Sequence, residues 1–536
     1  MTGLGPAATG PESVVVEPPR PPRGAGRSTA IFALWTGVSR VAGLGREVLA
    51  AVLFGTQGAI NAFVIAFAVP NLLRSLVADS ALSAAFVPVF TELEEKGRRR
   101  EAQRLAGALA GLITLGLGAI SLVAILAAPW VMPLFAPGLP DELTDELVLL
   151  SQVMFPIVVL LGLTGLVAAI LQASGEFGAT AFVPVLWNAL IIIALAVGGA
   201  FVSEGTRITV YAAGILIGTL GQLLFLLPYL RGKGPFPLSL GFRSPRVRRV
   251  LRLMLPVTLG LGLINLNLIV DAAFATLVSD EAPRAIDAAF RLYLLPQGIF
   301  SVAIATVLFP AISRLAARED VRGIRTTVAV GVRQILFLLL PASAFLLVLS
   351  EPVVRLVFQY GEFDSQSTAF TSEALVFFAL GLSFNGASLL VIRALFSLQL
   401  PWLPTKVALV GVVLNGLLDL ALYRPLGLAG IPLATSLVSL VTFLMLVRIL
   451  ARELGGLHVG WVLQGAARSA VASAILALLA WSSFTLVDRG LGQGPGATAI
   501  ALATALAAAL AAYLAAAQAF DSPELRALGR LARPLR

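Results

Sequence analysis

The chain has 536 residues, 58% of them hydrophobic and 12% charged, with a formal net charge of +9 and a mean hydropathy of +0.93. That composition excludes a soluble globular chain and makes the bilayer the solvent. The sequence contains no cysteine, which removes disulfides, thiolate catalysis and cysteine metal sites.

Residues 1–28 are rich in proline and glycine and hold no long apolar run. They read as a flexible cytoplasmic tail and make a poor signal peptide. A spanning helix needs roughly 20 mostly apolar residues. Segments of that kind are expected at 31–54, 60–90, 105–128, 147–171, 179–201 and 210–230, then at 253–278, 285–311, 328–349, 374–398, 404–422 and 427–447, and finally at 467–487 and 497–520. Alternating segments of about ten residues, the signature of a membrane β-barrel, do not occur. The expected fold is all-α and integral to the membrane, with about fourteen transmembrane helices.

Lys and Arg are retained on the cytoplasmic side. With both termini inside, cytoplasmic loops carry Lys96, Arg98, Arg99 and Arg100, and Arg243, Arg246, Arg248 and Arg249, while external loops carry Asp141, Glu142, Asp145 and Glu146, and Asp280 and Glu281. The positive charge thus reflects topology and anionic lipid contact, and no nucleic acid is expected as a partner. His458, the only histidine, falls in an expected loop without the companions that a metal cluster or proton relay needs.

The sequence repeats itself. Ala62-Phe63 followed by Pro70 resembles Ala289-Phe290 followed by Pro296, Phe86-Val87-Pro88 resembles Leu308-Phe309-Pro310, and Pro129 to Asn188 matches Pro352 to Asn415 in outline, at offsets of 222 to 227 residues. Six segments separate the copies, and an even number preserves direction, so the halves are expected to be parallel repeats in pseudo-twofold relation about the membrane normal. The organisation that follows is a tail at 1–28, an N-terminal lobe at 29–230, a basic linker at 231–252, a C-terminal lobe at 253–450, an added helix pair at 451–520 and a basic cytoplasmic tail at 521–536.

Several charges fall inside the expected spans. Arg333, Arg393 and Arg468 lie near cytoplasmic ends, where they can snorkel. Arg40, about 15 Å into the first span, together with Arg46, Arg74 and Arg291, cannot be placed that way. Each would cost about 2.5 to 3.5 kcal/mol facing lipid, so these four are expected to line a watery cavity, with Glu47 and Asp79 offsetting part of the charge. Gly43, Gly45, Pro70-Asn71 and Pro296 interrupt the same helices, and freed backbone groups at membrane depth belong around cavities. Arginine clusters suit phosphate, because the planar guanidinium donates paired hydrogen bonds and does not titrate. A second polar group, Asp271, Asn415, Asp419 and Thr435 with the carbonyl of Ile431, offers oxygen ligands for a small cation, Na+ or a proton; interhelical hydrogen bonding is the alternative.

Ser39-Arg40-Val41-Ala42-Gly43-Leu44-Gly45-Arg46-Glu47, Pro70-Asn71-Leu72-Leu73-Arg74 and Phe290-Arg291-Leu292-Tyr293 with Leu295-Pro296-Gln297-Gly298 resemble motifs of the lipid II flippases called MurJ or MviN, over about 30–450. The resemblance implies translocation of an undecaprenyl-diphosphate-linked muropeptide, lipid II, to the outer leaflet of a bacterial inner membrane. It implies cavity arginines at Arg40, Arg46, Arg74 and Arg291, a sodium site at Asp271, Asn415, Asp419, Ile431 and Thr435, and a final helix pair forming a groove for the lipid tail. Membrane lipids and cell-wall synthesis proteins are the other implied partners. Asn61 and Phe290 stand where the family usually has Asp, and Asp79-Ser80 replaces a Glu-Gly pair.

Alternating access between the lobes, with no enzyme activity and no cofactor, is the expected mechanism. No phosphate-binding loop ending in Gly-Lys-Ser/Thr is present. The rivals are a flippase for another polyprenyl-linked oligosaccharide, a membrane glycosyltransferase and a non-transporting scaffold.

Overall fold

The computed structural model describes residues 25–77, 80–174, 176–237, 239–241, 244–492 and 494–525. Among them the chain is helix after helix, since a helix satisfies every backbone group internally where lipid offers no partner. In chain order these are α1 (Ala25–Phe54), α2 (Ala59–Val77), α3 (Ser80–Glu95), α4 (Arg99–Leu112), α5 (Gly118–Val131), α6 (Asp141–Met154), α7 (Ile157–Ala173), α8 (Phe177–Ile193) and α9 (Glu204–Leu226). There follow α10 (Pro245–Val278), α11 (Ala282–Pro296), α12 (Val302–Ala317), α13 (Val321–Phe358), α14 (Ser365–Ser397), α15 (Trp402–Leu426), α16 (Gly430–Glu453), α17 (Val459–Leu491) and α18 (Pro495–Ala519).

Ten stretches of the described residues are long and apolar enough to cross a membrane, and Ala59–Leu72 and Asn265–Val278 are shorter apolar helices. Several helices outrun the apolar segment that reveals them. The segment expected at 328–349 is the middle of α13, whose 38 residues extend the helix beyond the apolar run on both sides.

The starts of α2, α4, α6, α8 and α9 recur 222 to 226 residues later as the starts of α11, α13, α14, α15 and α16. Wide π-turns join α4 to α5 at Ile113–Leu117 and α11 to α12 at Gln297–Ser301. Such turns free backbone groups and are frequent at functional sites. Buried apolar side chains divide largely by half: three clusters draw mostly on 50–226, while a large one runs from Ala275 to Leu454 and takes in Ala51 of α1. A further cluster packs α17 and α18 against α13. The long α10 serves both halves, giving Val247, Val250 and Met254 to the first and Ala275 to the second.

The halves meet beside the end of α1. The amide of Glu362 donates to the carbonyl of Val52 at 3.0 Å, and the hydroxyls of Thr56 and Ser367 are 2.8 Å apart. Gly55 and Gly361 both have left-handed φ, +58° and +60°, and a Cβ on either would fall 2.3 Å from the opposing carbonyl oxygen. Only glycine permits that backbone approach.

Asp364 caps α14 there, accepting the amide of Ser367 at 2.8 Å. This hydrogen bond holds its carboxyl below the ordinary 3.8. A depressed folded-state value contributes stability that is present above the unfolded value and lost as pH falls through the folded one. Asp364→Ala is therefore expected to cost about 1 kcal/mol at neutral pH, with the two melting temperatures converging as pH drops well below 3.8. A gap independent of pH would contradict the cap.

Candidate functional site: a charged cavity between the helical halves

The site is built on α1 and α11. Pro283, with no amide hydrogen to lose, sits in the first turn of α11, where helices tolerate it. Arg284, Asp287 and Arg291 follow at spacings of three and four, which place them on one face. Across the boundary between the halves, Asn61 Oδ1 accepts the backbone N–H of Arg284 at 2.8 Å, satisfying one of the free amides at the helix start. Asn61 Nδ2 donates to the carbonyl of Thr56 at 2.7 Å.

Glu47 is the hub. Its side chain is 4% exposed, and it accepts from Arg46 Nη2 at 2.6 Å, Arg284 Nη1 at 3.2 Å and Arg291 Nη1 at 3.1 Å. Asp287 Oδ2 bridges Arg284 Nη1 at 3.0 Å and Arg291 Nε at 2.9 Å. Three guanidiniums thus face two carboxylates, and the Arg46 guanidinium also lies 4.7 Å over the Trp187 ring, a cation–π contact.

Arg46, Asp287 and Arg291 line a cavity of about 590 Å3 with Asn71, Trp187 and Gln222. Asn71 Nδ2 also donates to Asn265 Oδ1 of α10 at 3.3 Å. Arg40 stands apart from this group. It is exposed, and its guanidinium lies against Gly298 in the π-turn, where a Cβ would fall 2.8 Å from Arg40 Nη1. Arg40 therefore reaches the second half through the gap that a glycine leaves. The side chain of Arg74, on α2, and the whole of Asp79 lie outside the described residues.

The second polar group is in mutual contact. Asn415 Nδ2 donates to Asp271 Oδ1 at 2.5 Å and to Asp419 Oδ2 at 2.7 Å. The Thr435 hydroxyl contacts Asp271 Oδ2 and the Ile431 carbonyl, both at 3.3 Å. Asn415 Oδ1 and Asp419 Oδ1 are buried without a hydrogen-bond partner, a costly arrangement for polar oxygen. Two carboxylates, an amide, a hydroxyl and a carbonyl form a hard-oxygen set that fits an alkali cation. Asp271 also lines the cavity. Among the described residues, no three His, Cys, Asp or Glu side chains group to hold a metal ion.

Sequence reasoning missed Arg284 and Asp287. Their spacing with Arg291 was the available signal, but they stand at the very start of the span expected at 285–311, where a charge lies within reach of the external interface. Asp287 lies one turn before Phe290 and supplies an acid to the same helix, while Phe290 packs 5.5 Å from Phe378.

Arg333 corrects the snorkelling assignment. It is 4% exposed, with Nε donating to Glu524 Oε1 at 2.5 Å, Nη1 donating to the Trp461 carbonyl at 3.2 Å, and the guanidinium 3.8 Å over the Trp461 ring. Residues 521–525 of the expected tail thus begin as a packed segment.

An all-α, multi-pass membrane protein whose charges gather in a cavity between two groups of helices has the build of a transporter. The family model described as lipid II flippase MurJ matches residues 50–492. The lipid II flippase MurJ of Burkholderia cenocepacia is 31% identical over 424 residues, covering 77% of this chain and 81% of its own length. A probable lipid II flippase MurJ of Synechocystis is 28% identical over 473 residues, covering 86% and 87%. The chain belongs to the MurJ family, a family of transporters, and is a multi-pass protein of the bacterial inner membrane.

Solved structures carry the same fold. A lipid II flippase MurJ in an inward closed conformation superposes with a TM-score of 0.77 at 23% identity, covering 92% of this chain and 98% of its own. An inward-facing multidrug resistance transporter of the MATE family superposes at 0.62 with 16% identity, covering 80% and 94%.

Proposed function

We propose that the chain translocates lipid II from the inner to the outer leaflet by alternating access, with the diphosphate gripped by cavity arginines. The observation that carries this reading is the pair Arg46 and Arg291, brought from opposite halves to one cavity wall. Two guanidiniums on different rigid bodies bind an anion best in one relative position of those bodies, so the anion's affinity biases the rocking. Arg40, against Gly298 at the junction of α11 and α12, meets the head group as it enters, and Arg74 adds charge from α2.

In this reading fourteen helices cross the membrane with both termini in the cytoplasm. The two six-helix lobes are parallel repeats, and Asp280, Glu281 and the contact between Val52 and Glu362 face outward. The cavity is in the range that holds a drug-sized ligand; a disaccharide-pentapeptide is larger, so it enters with the lobes apart. The polyprenyl tail stays in lipid along α17 and α18. A sodium ion held by Asp271, Asn415, Asp419, Ile431 and Thr435 would neutralise buried carboxylates beside the cavity and favour one lobe position.

Complementation in cells depleted of their own lipid II flippase tests the reading. The wild-type chain is expected to restore growth, and Arg40→Ala and Arg291→Ala at equal membrane abundance are expected to abolish it. Rescue by both variants overturns the arginine mechanism. No rescue by an abundant wild type moves the substrate to another polyprenyl-linked glycan.

A further inference from the structure

We infer that Asp287 is an internal competitor of the anionic substrate, holding the phosphate-binding edge of Arg291 until a diphosphate takes it and then pairing with Arg284 alone. The inference rests on the diphosphate reading above. An arginine pairs most strongly with an oxyanion through its Nε and one Nη, two parallel donors. Arg291 is tethered by Nη1 to Glu47 at 3.1 Å, which fixes its direction. Its Nε edge is covered by Asp287 Oδ2 at 2.9 Å.

Asp287 is the acid a ligand can reach. Its side chain is 22% exposed and that of Arg291 33%, against 4% for Glu47, and both Asp287 and Arg291 line the cavity. The bridge is also a divided one, since a single carboxylate oxygen serves two guanidiniums. Arg284 has somewhere to put the displaced carboxylate: its Nε and Nη2 are buried with no hydrogen-bond partner, and unpaired buried donors of a charged group are costly. A diphosphate on Arg291 repels Asp287, and Arg284 accepts it through a fuller set of donors. The same exchange run backwards ejects the product, because Asp287 returns to Arg291 as the anion departs.

The test uses the full chain in nanodiscs with undecaprenyl diphosphate as probe, undecaprenyl monophosphate as control, and tryptophan emission as readout, Trp187 lying on Arg46. Asp287→Asn and Asp287→Ser are expected to bind the diphosphate roughly five- to fifty-fold more tightly, the effect of removing one close like charge. Both are expected to complement depleted cells less well, because release slows. Tighter binding with weaker transport is a split that mere structural damage does not produce. Binding by both variants equal to or weaker than wild type, at normal melting temperature, overturns the inference while leaving the diphosphate reading intact if Arg291→Ala still loses binding. Unfolding of both variants makes Asp287 a structural residue and also overturns it. A wild type with no preference for diphosphate removes the reading and the inference together.

Discussion

Glu47→Ala is expected to lower stability by about 3 to 5 kcal/mol, the range found when one member of a buried ion-pair network is removed. The side chain accepts from Arg46, Arg284 and Arg291. Without it three guanidiniums remain near one carboxylate, and Arg284 is too enclosed, at 3% side-chain exposure, to recruit water freely. The loss is also directional. Glu47 lies on α1 and two of its partners lie on α11, so the substitution loosens the contact between the halves more than the packing within either. Thermal unfolding in detergent measures the first effect. The second is read by single-cysteine labelling, which the cysteine-free sequence makes clean. Thr56→Cys, at a fully buried position between the halves, should react slowly with an impermeant maleimide on its own and much faster beside Glu47→Ala. An unchanged melting temperature with unchanged labelling would show that the network neither stabilises the fold nor holds the halves together.

Glu524→Ala is expected to be nearly as costly, about 3 to 5 kcal/mol, although it lies far along the chain from the residues of the charged cavity. It strands Arg333 at 4% exposure beneath the Trp461 ring, with the Trp461 carbonyl left as its one hydrogen-bond acceptor among the described residues. Gly465 makes room for that guanidinium, since a Cβ there would fall 2.4 Å from Arg333 Nε. The informative comparison is Arg333→Met with Glu524→Leu, which removes both charges and refills the volume. Such replacements of buried pairs are often neutral or stabilising. A costly single substitution and a near-neutral double one would show that the pair serves to fasten the chain end to α13 and α17, with little net stability of its own. Equal losses in both would mean that shape matters there more than charge.

These two networks mark the boundary between what the sequence holds locally and what only the fold brings about. The membrane class, the apolar segments and the doubling of the chain are properties of local composition and of order along the chain, so the sequence carries them by itself. The misfit of Arg40, Arg46 and Arg291 within apolar runs is equally local, because the bilayer penalises a charge wherever its partner stands. The polar group around Asp271 was legible for a related reason: Asn415 and Asp419 are one helical turn apart, and a buried Asp271 needs polar partners from neighbouring helices.

The partners were decided only by tertiary structure. Whether an arginine near a helix end snorkels or is buried depends on what packs above it, and for Arg333 that is Trp461 and Glu524, 128 and 191 residues away. Glu47 reaches Arg284 across 237 residues, a pairing that no spacing rule predicts. Asp287 bonds within α11 to Arg284 and Arg291, and it joins the network because Glu47 of the other half meets the same two arginines. A side chain's own chemistry and its helical neighbours are fixed along the chain, whereas the dielectric it feels and the charge it meets are set by the surfaces that the helices bring together.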